Sequence, residues 1–370
     1  MFMDQERLAL LALHFIPGLG DYTIRQLIAY CGSAEQVFKI PKGKLLRVPG
    51  IGKTTVEGFS ASRAFKSAEK EIQRAEQFNT RLIFYNDALY PSRLKHAADS
   101  PTLLYAKGEM DFESTRCIGI VGTRRCTEYG RRCTSRLIED LGHHHPLIVS
   151  GLAYGIDIHA HQEAIRCGLQ TIGVMGSGID IIYPYAHRAT VIEMLGHGGI
   201  VTENPFTSKP DAHNFPARNR IIAGLVDVVV VVEAAERGGA LITADIANSY
   251  DREVMAFPGD VNKSFSVGCN NLIKANRAHL ISSAADLERI MNWDTSGSEA
   301  SPARPRVTVP LDADEQTIVD CLNDAEKALH IDEVSWRTTL PVARVATLLL
   351  TLELKSVVRA APGRMYRLAD

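Results

Sequence analysis

Four short clusters of glycine and small polar residues carry most of the chemistry this sequence can offer. They are Gly122-Thr123-Arg124-Arg125, Ser150-Gly151 with Gly155, Gly176-Ser177-Gly178, and Gly238-Gly239-Ala240. Each follows an apolar run that reads as a strand, at residues 118–121, 147–149, 171–175 and 226–232. Turns without side chains let backbone N–H groups approach a phosphate, and a following helix N-terminus adds a favourable dipole. Arg124, one residue past its Gly-Thr turn, can lay a planar guanidinium fork on phosphate oxygens. Turns at the carboxyl ends of strands in one sheet share one rim, so the four together predict a phosphate-lined groove. A fifth segment, Phe215-Pro216-Ala217-Arg218-Asn219-Arg220, opens a helix. Arg and Asn suit phosphates and base edges, while Phe offers a stacking face. Two alternatives stay open at this point: Arg218 and Arg220 as structural ion pairs beneath the groove, and Phe215 as a buried ring.

Other chemistries fit poorly. A dinucleotide site needs G-x-G-x-x-G after the first strand and an acid after the next. Here the chain reads Gly119-Ile120-Val121-Gly122, and the second strand ends in Ser150-Gly151. Neither NAD nor FAD is expected, nor any other cofactor. Asp157, His159, His161 and Glu163 resemble a metal cluster, and Asp157 and His161 stand i, i+4, but His159 points elsewhere and no further ligand is evident. Capping and structural hydrogen bonds are the expected roles. The run His143-His144-His145 reads as a solvated turn ending a helix. Seven scattered cysteines (Cys31, Cys117, Cys126, Cys133, Cys167, Cys269, Cys321) contain no C-x-x-C pair, so free thiols in a reducing compartment are expected. No apolar run reaches the length of a membrane span. Asp4 and Glu6 precede the apolar stretch at 8–13, which reads as a helix of a mature cytoplasmic protein rather than a signal core. The formal net charge is −2, so any nucleic-acid function must come from local charge.

The elements that would position these groups fall into three regions. Residues 1–80 look helical and locally basic, with Lys39, Lys42, Lys44, Arg47 and Lys53 close together. An imperfect repeat, Ile16-Pro17-Gly18-Leu19-Gly20 and Val48-Pro49-Gly50-Ile51-Gly52, precedes helix-like runs at 22–29 and 54–61, the pattern of a helix-hairpin-helix or SAM-like domain. Such turns contact phosphates without reading sequence, or serve protein contacts. Residues 81–291 alternate apolar strands with amphipathic helices, which predicts an extended Rossmann-type, doubly wound, mostly parallel α/β sheet buried on both faces. Residues 292–311 form a linker rich in Ser, Pro, Gly and Ala. Residues 312–370 give three helices and a hairpin through Ala361-Pro362-Gly363-Arg364, a winged helix.

The stretches GIVGTRRCTEYG, IVSGLAYGIDIHAHQEAI, GVMGSGIDIIYP, NFPARNRIIAGL, VVVVEAAERGGALITA, VMAFPG and GCNNLI, in this order over about 118–273, resemble the DNA-processing protein A family (DprA, also called Smf). The resemblance implies a homodimeric protein without catalytic activity. It would bind and protect incoming single-stranded DNA and load the RecA recombinase during natural transformation. It places the DNA pocket at Gly122, Thr123 and Arg124 and the 215–220 segment. The dimer contact falls on the segment of Asn270, Ile273 and His279. Where relatives commonly carry Lys or Arg three residues before the Phe, this chain has Ala212, and Gly238-Gly239-Ala240 stands where many have Ser-Gly-Ser. The rival reading is a nucleoside monophosphate phosphoribohydrolase of the Lonely Guy type, for which Glu233 and Asp245 flank a Gly-Gly turn, although its P-G-G-x-G-T-x-x-E motif is absent.

Overall fold

The computed structural model describes residues 4–293, 311–325, 328–355 and 357–369. Most of the expected linker, 294–310, lies outside the described residues. At the centre is a nine-stranded sheet of β1 (Arg81–Phe84), β2 (Leu103–Lys107), β3 (Cys117–Val121), β4 (Leu147–Gly151), β5 (Thr171–Val174), β6 (Gly198–Thr202), β7 (Val228–Val231), β8 (Glu253–Ala256) and β9 (His279–Leu280). Their spatial order is β1-β2-β6-β5-β4-β3-β7-β8-β9. From β6 to β9 every pairing is parallel, while β1 and β2 add antiparallel strands on the β6 side. Unbroken apolar runs such as Val228–Val231, buried at every position, are what a sheet covered on both faces requires. The chain winds from β3 through β4, β5 and β6 to one side, then returns to lay β7, β8 and β9 on the other. The turns leaving β3 and β7 therefore diverge, opening a crevice between their carboxyl ends.

The first region is helical: Gln5–Leu13, Asp21–Cys31, Ala34–Lys39, Lys42–Leu45, Lys53–Glu57 and Ala61–Gln77. Gly18 and Gly50 adopt φ of +80° and +86°, a conformation that explains glycine in both Pro-Gly turns. The expected single helix over 54–61 is corrected. Lys53–Glu57 stops at Gly58, whose N–H reaches the Thr54 carbonyl, and a new helix starts at Ala61 after an extended Ser60. These helices do not form a separate core. Leu11, Leu13, Ile24 and Leu27 share one apolar cluster with Phe84, Tyr105, Met175 and Phe206 from the sheet region. Glu71 on the last helix also accepts the Phe206 N–H at 2.7 Å.

The tail folds as a winged helix. Helices Ala313–Asn323, Ile331–Thr338 and Val342–Leu354 pack with β10 (Leu329–His330), β11 (Val358–Ala361) and β12 (Met365–Leu368), ordered β10-β12-β11. Ile318, Val334, Val345, Leu349 and Leu352 make its core. The short β10 has no signal of its own in the sequence. His330 stacks on His96 with ring centroids 4.2 Å apart, and Arg364 pairs with Asp251 at 2.8 Å, so the tail lies against the sheet region. Among the described residues, no helix is long and apolar enough to cross a membrane.

Candidate nucleic-acid interface

A cavity of about 810 Å³ occupies the crevice between the turns after β3 and β7. One wall is the loop of Gly122, Thr123, Arg124 and Arg125. Two hydrogen bonds pin it: the Thr123 N–H to the Glu233 carbonyl at 2.8 Å, and the Ile156 N–H to the Thr123 carbonyl at 3.2 Å. Gly155, at φ +81°, backs directly onto Thr123 and Arg124, where a side chain would collide with their backbone. Arg124 and Arg125 are exposed, and so is Arg237 on the other wall beside Gly238 and Gly239. The guanidinium of Arg124 sits 5.6 Å from the Phe215 ring centroid, and that of Arg125 sits 6.0 Å from Phe265. Tyr183 lies 6.1 Å from Phe215. Exposed cations over aromatic rings in an open cleft can take phosphates and unstacked bases together.

The floor is ionic. Arg218, 6% exposed, donates to the Val174 carbonyl and to Asn219 Oδ1 at 3.2 Å, while Asn219 Nδ2 donates to the Gly239 carbonyl at 3.2 Å. Arg218 is thus both buried and on the cavity lining. Asp157 lies beside it and accepts the Ala153 N–H at 3.4 Å. Burial pushes the Asp157 carboxyl up to about 6, with the positive charge of Arg218 opposing the rise, and burial lowers the pKa of Arg218 itself. Gly151 makes room for this pair, since a side chain there would run into both charged groups.

The structure gathers Gly122, Thr123, Arg124, Arg125, Phe215, Arg218, Asn219, Gly238 and Gly239 around the cavity. It does not bring Gly151, Gly155, Gly176, Gly178 or Arg220 onto its lining. The first three glycines support the wall or floor from behind, Gly176 standing against Phe215, and Gly178 packs against Pro205 and Asp180. Arg220 is corrected from a groove residue to an anchor: it bonds Glu203 and the Asp99 carbonyl and lies 3.6 Å from Asp21. Two positions further along the helix than Arg218, its side chain points away from the groove. Phe215 is half-buried and lines the cavity, which leaves a face available.

Tyr183, Phe265, Arg237 and Asp157 also line the cavity and were not expected there. Arg237 was legible beside its Gly-Gly turn, whereas Tyr183 and Phe265 come from loops that only the fold brings in. In the expected dimer segment, the Asn270 amide clamps both backbone groups of Gly259 at 2.9 and 3.1 Å, Ile273 is half-buried, and His279 is exposed on the edge strand β9.

The acids of the rival hydrolase reading are engaged elsewhere. Glu233 accepts from the N–H and hydroxyl of Thr127 at 2.8 and 2.6 Å, and Asp245 pairs with Arg277. His161 bonds Thr171 and the Gly151 carbonyl at 2.6 and 2.8 Å, and His159 bonds Ser135 at 3.0 Å, the structural roles expected of them. The solvated reading of residues 143–145 holds for His143 and His145, which are exposed, and is corrected at His144, which is buried with its Nε2 3.0 Å from Glu288 Oε1.

A family model for DNA recombination-mediator protein A matches residues 81–292, and one for the DprA winged helix domain matches 302–364. Protein Smf of Synechocystis is 32% identical, covering 98% of this chain and 99% of its own. Protein Smf of Escherichia coli is 35% identical over 82% of this chain and 81% of its own. The X-ray structure of DNA processing protein A from Streptococcus pneumoniae superimposes with a TM-score of 0.67 at 30% identity, covering 78% of this chain and 98% of that one. DNA processing protein A from Helicobacter pylori, whose structure is described for its single-stranded DNA binding mode, gives a TM-score of 0.53 at 28% identity over 59% of this chain and 97% of its own. Matched through its sheet region, its winged helix and nearly its whole length, the chain belongs to the DprA (Smf) family of DNA-processing proteins.

Proposed function

We propose that this protein binds single-stranded DNA in the cavity between the β3 and β7 turns, protects incoming strands and loads the RecA recombinase onto them during natural transformation. It acts in the cytoplasm as a homodimer and catalyses no reaction of its own. In this reading 1–80 is a helix-hairpin-helix domain, 81–291 carries the DNA, 292–311 is a linker, and 312–370 is a winged helix that mainly meets protein. The observation that carries the reading is the placing of Arg124 above Phe215 at the topological switch point of the sheet. A phosphate held by the arginine leaves the adjoining base within reach of an aromatic face, an arrangement that suits an unpaired strand and not a duplex with its bases stacked inside. The single-stranded DNA binding described for the Helicobacter pylori relative supports the same ligand.

The decisive experiment is fluorescence anisotropy with a labelled oligothymidine and the matching duplex, across a series of salt concentrations. Tighter binding of the single strand, weakened by removing Arg124, is expected. Equal affinity for both forms, unaffected by Arg124, would move the DNA site to the Pro-Gly turns of the first region.

A further inference from the structure

Outside the DNA cavity, two neighbouring histidines and one glutamate converge. His143 and His144 sit in a short 3₁₀ turn, Gly142–His144, that follows helix Glu128–Asp140. Glu288 comes from helix Ala284–Met291, more than a hundred residues later. Nε2 of His144 lies 3.0 Å from Glu288 Oε1, and Nε2 of His143 lies 3.4 Å from the same oxygen. All three ligand atoms fall within 4.8 Å of one another. We propose that this trio is a binding site for a borderline divalent transition-metal ion, Zn²⁺ in the first instance.

Hydrogen bonding at His143 fixes what its outer nitrogen can do. Its Nδ1 is 2.9 Å from the Asp140 carbonyl, which can only accept, so Nδ1 carries the proton. In the neutral ring Nε2 then holds a lone pair, and it faces a carboxylate oxygen that also holds lone pairs. Two acceptors 3.4 Å apart repel unless a proton or a metal ion lies between them. A backbone carbonyl that orients a histidine through its far nitrogen is the usual outer support of a metal ligand.

The spacing fits a metal ion as well as it fits a hydrogen bond. Around an ion with bonds of about 2.0–2.1 Å, the ligand atoms of a tetrahedron stand roughly 3.3 Å apart. The two His–Glu separations, 3.0 and 3.4 Å, bracket that edge. For His144 to ligate, its remaining proton moves from Nε2 to Nδ1, with no net loss from the neutral ring. Two imidazoles and one carboxylate select Zn²⁺, Cu²⁺, Ni²⁺ or Co²⁺ over Mg²⁺ or Ca²⁺, which prefer oxygen.

Access and charge are compatible with this. The His143 side chain is 55% exposed, against 4% for His144 and 13% for Glu288, so an ion enters from the His143 side and a water completes its shell. Arg116, stacked 5.4 Å over Trp293, places a positive charge near His144 and limits the affinity. A bound ion would staple the end of helix Glu128–Asp140 to helix Ala284–Met291, the last described element before residue 294.

Trp293 supplies the readout, because its ring meets His144 edge-on with centroids 5.5 Å apart. The chain has two tryptophans, and the other, Trp336, is 80% exposed on the winged helix and can be replaced by Phe. In tag-free Trp336→Phe protein, Cu²⁺ should quench Trp293 fluorescence, and calorimetric titration should show one Zn²⁺ per chain. Zn²⁺ should also raise the melting temperature. Glu288→Gln and His143→Asn, added singly, should each weaken Zn²⁺ binding by about tenfold or more and abolish the thermal shift. Both keep neutral hydrogen-bonding groups, and unchanged melting of the metal-free variants checks that they fold. Zn²⁺ binding only at millimolar concentration, or binding of equal strength in both variants, would overturn the proposal.

Discussion

Arg124 stands over Phe215 on the cavity lining, the guanidinium 5.6 Å from the ring centroid, although about ninety residues of sequence separate them. Arg124 comes from the first turn of the parallel sheet and Phe215 from the start of the helix that precedes β7. Their meeting gives one small region both a charge and a stacking surface. With Ala212 on the same lining in place of a cation, Arg124 carries a larger share of the positive charge.

Arg124→Ala should therefore weaken single-stranded DNA binding by about 1.5–3 kcal/mol, the range for hydrogen bonds to charged groups. The slope of log affinity against log salt should fall by about 0.7 for each phosphate that is no longer neutralised. The melting temperature should hardly move, because Arg124 is exposed and outside the core. Anisotropy across a salt series reads both quantities, and wild-type values for both would remove Arg124 from the DNA site.

Asp157 should make single-stranded DNA binding sensitive to pH. Its carboxyl is pushed by burial to about 6 from an ordinary 3.8, against the pull of Arg218 and Arg124. Neutralising it leaves the charge of Arg218 uncompensated on the cavity floor. Affinity for single-stranded DNA should rise as pH falls from about 7 through the Asp157 value of about 6, and Asp157→Asn should flatten that rise. His161, held near 4 by burial, stays neutral through this window. A rise of equal size in Asp157→Asn would assign the effect to another group.

The same shift has a sign for stability. Between about pH 4 and 6 the folded protein keeps a proton on Asp157 that the unfolded chain has released. The stabilisation from this group is fully present below 3.8 and is lost as pH rises through about 6. Relative to wild type, Asp157→Asn should therefore gain stability from about pH 4 to just above 6, read from denaturant midpoints. A constant difference across that range counts against a raised carboxyl.

Protein ending at residue 310 should retain most of its single-strand affinity. Acids such as Asp312, Asp314, Asp332 and Glu333 crowd the tail, and its exposed Trp336, Leu350 and Leu354 suit protein contact better than phosphate. Loss of most of the affinity on truncation would make the winged helix a DNA reader.

Ile273→Glu should convert the proposed dimer to monomers, since a two-fold contact would bury two like charges. Ile273 also packs against the sheet core, so a thermal melt must accompany the light-scattering mass. A folded variant with an unchanged dimer mass removes Ile273 from the interface.

Much of this was legible because strand ends announce themselves. Buried parallel strands are apolar throughout, and the small residues that follow them mark one rim, so the walls at Gly122–Arg125 and Gly238-Gly239 could be read directly. The helix at residue 214 was also legible, but not which of its two cations would point inward. Arg218 and Arg220 differ only by rotation about the helix, and Glu203 and Asp21, which hold Arg220, come from distant segments. Tyr183 and Phe265 escaped for a similar reason: lone aromatics in loops show no periodicity. The antiparallel β1 and β2 were hidden because no long amphipathic helix separates them from each other or from β3, so they fall outside the strand–helix alternation.

The apolar cluster joining the first helices to the sheet packs the two regions around one shared core. Cutting the chain after residue 80 would uncover Tyr105, Met175 and Phe206 and leave the Phe206 amide without the Glu71 carboxylate. The fragment beginning at residue 81 should aggregate rather than serve as a minimal DNA-binding unit, and the two regions should melt in one cooperative transition. The first helices are, in this chain, part of the foundation on which the cavity between the β3 and β7 turns rests.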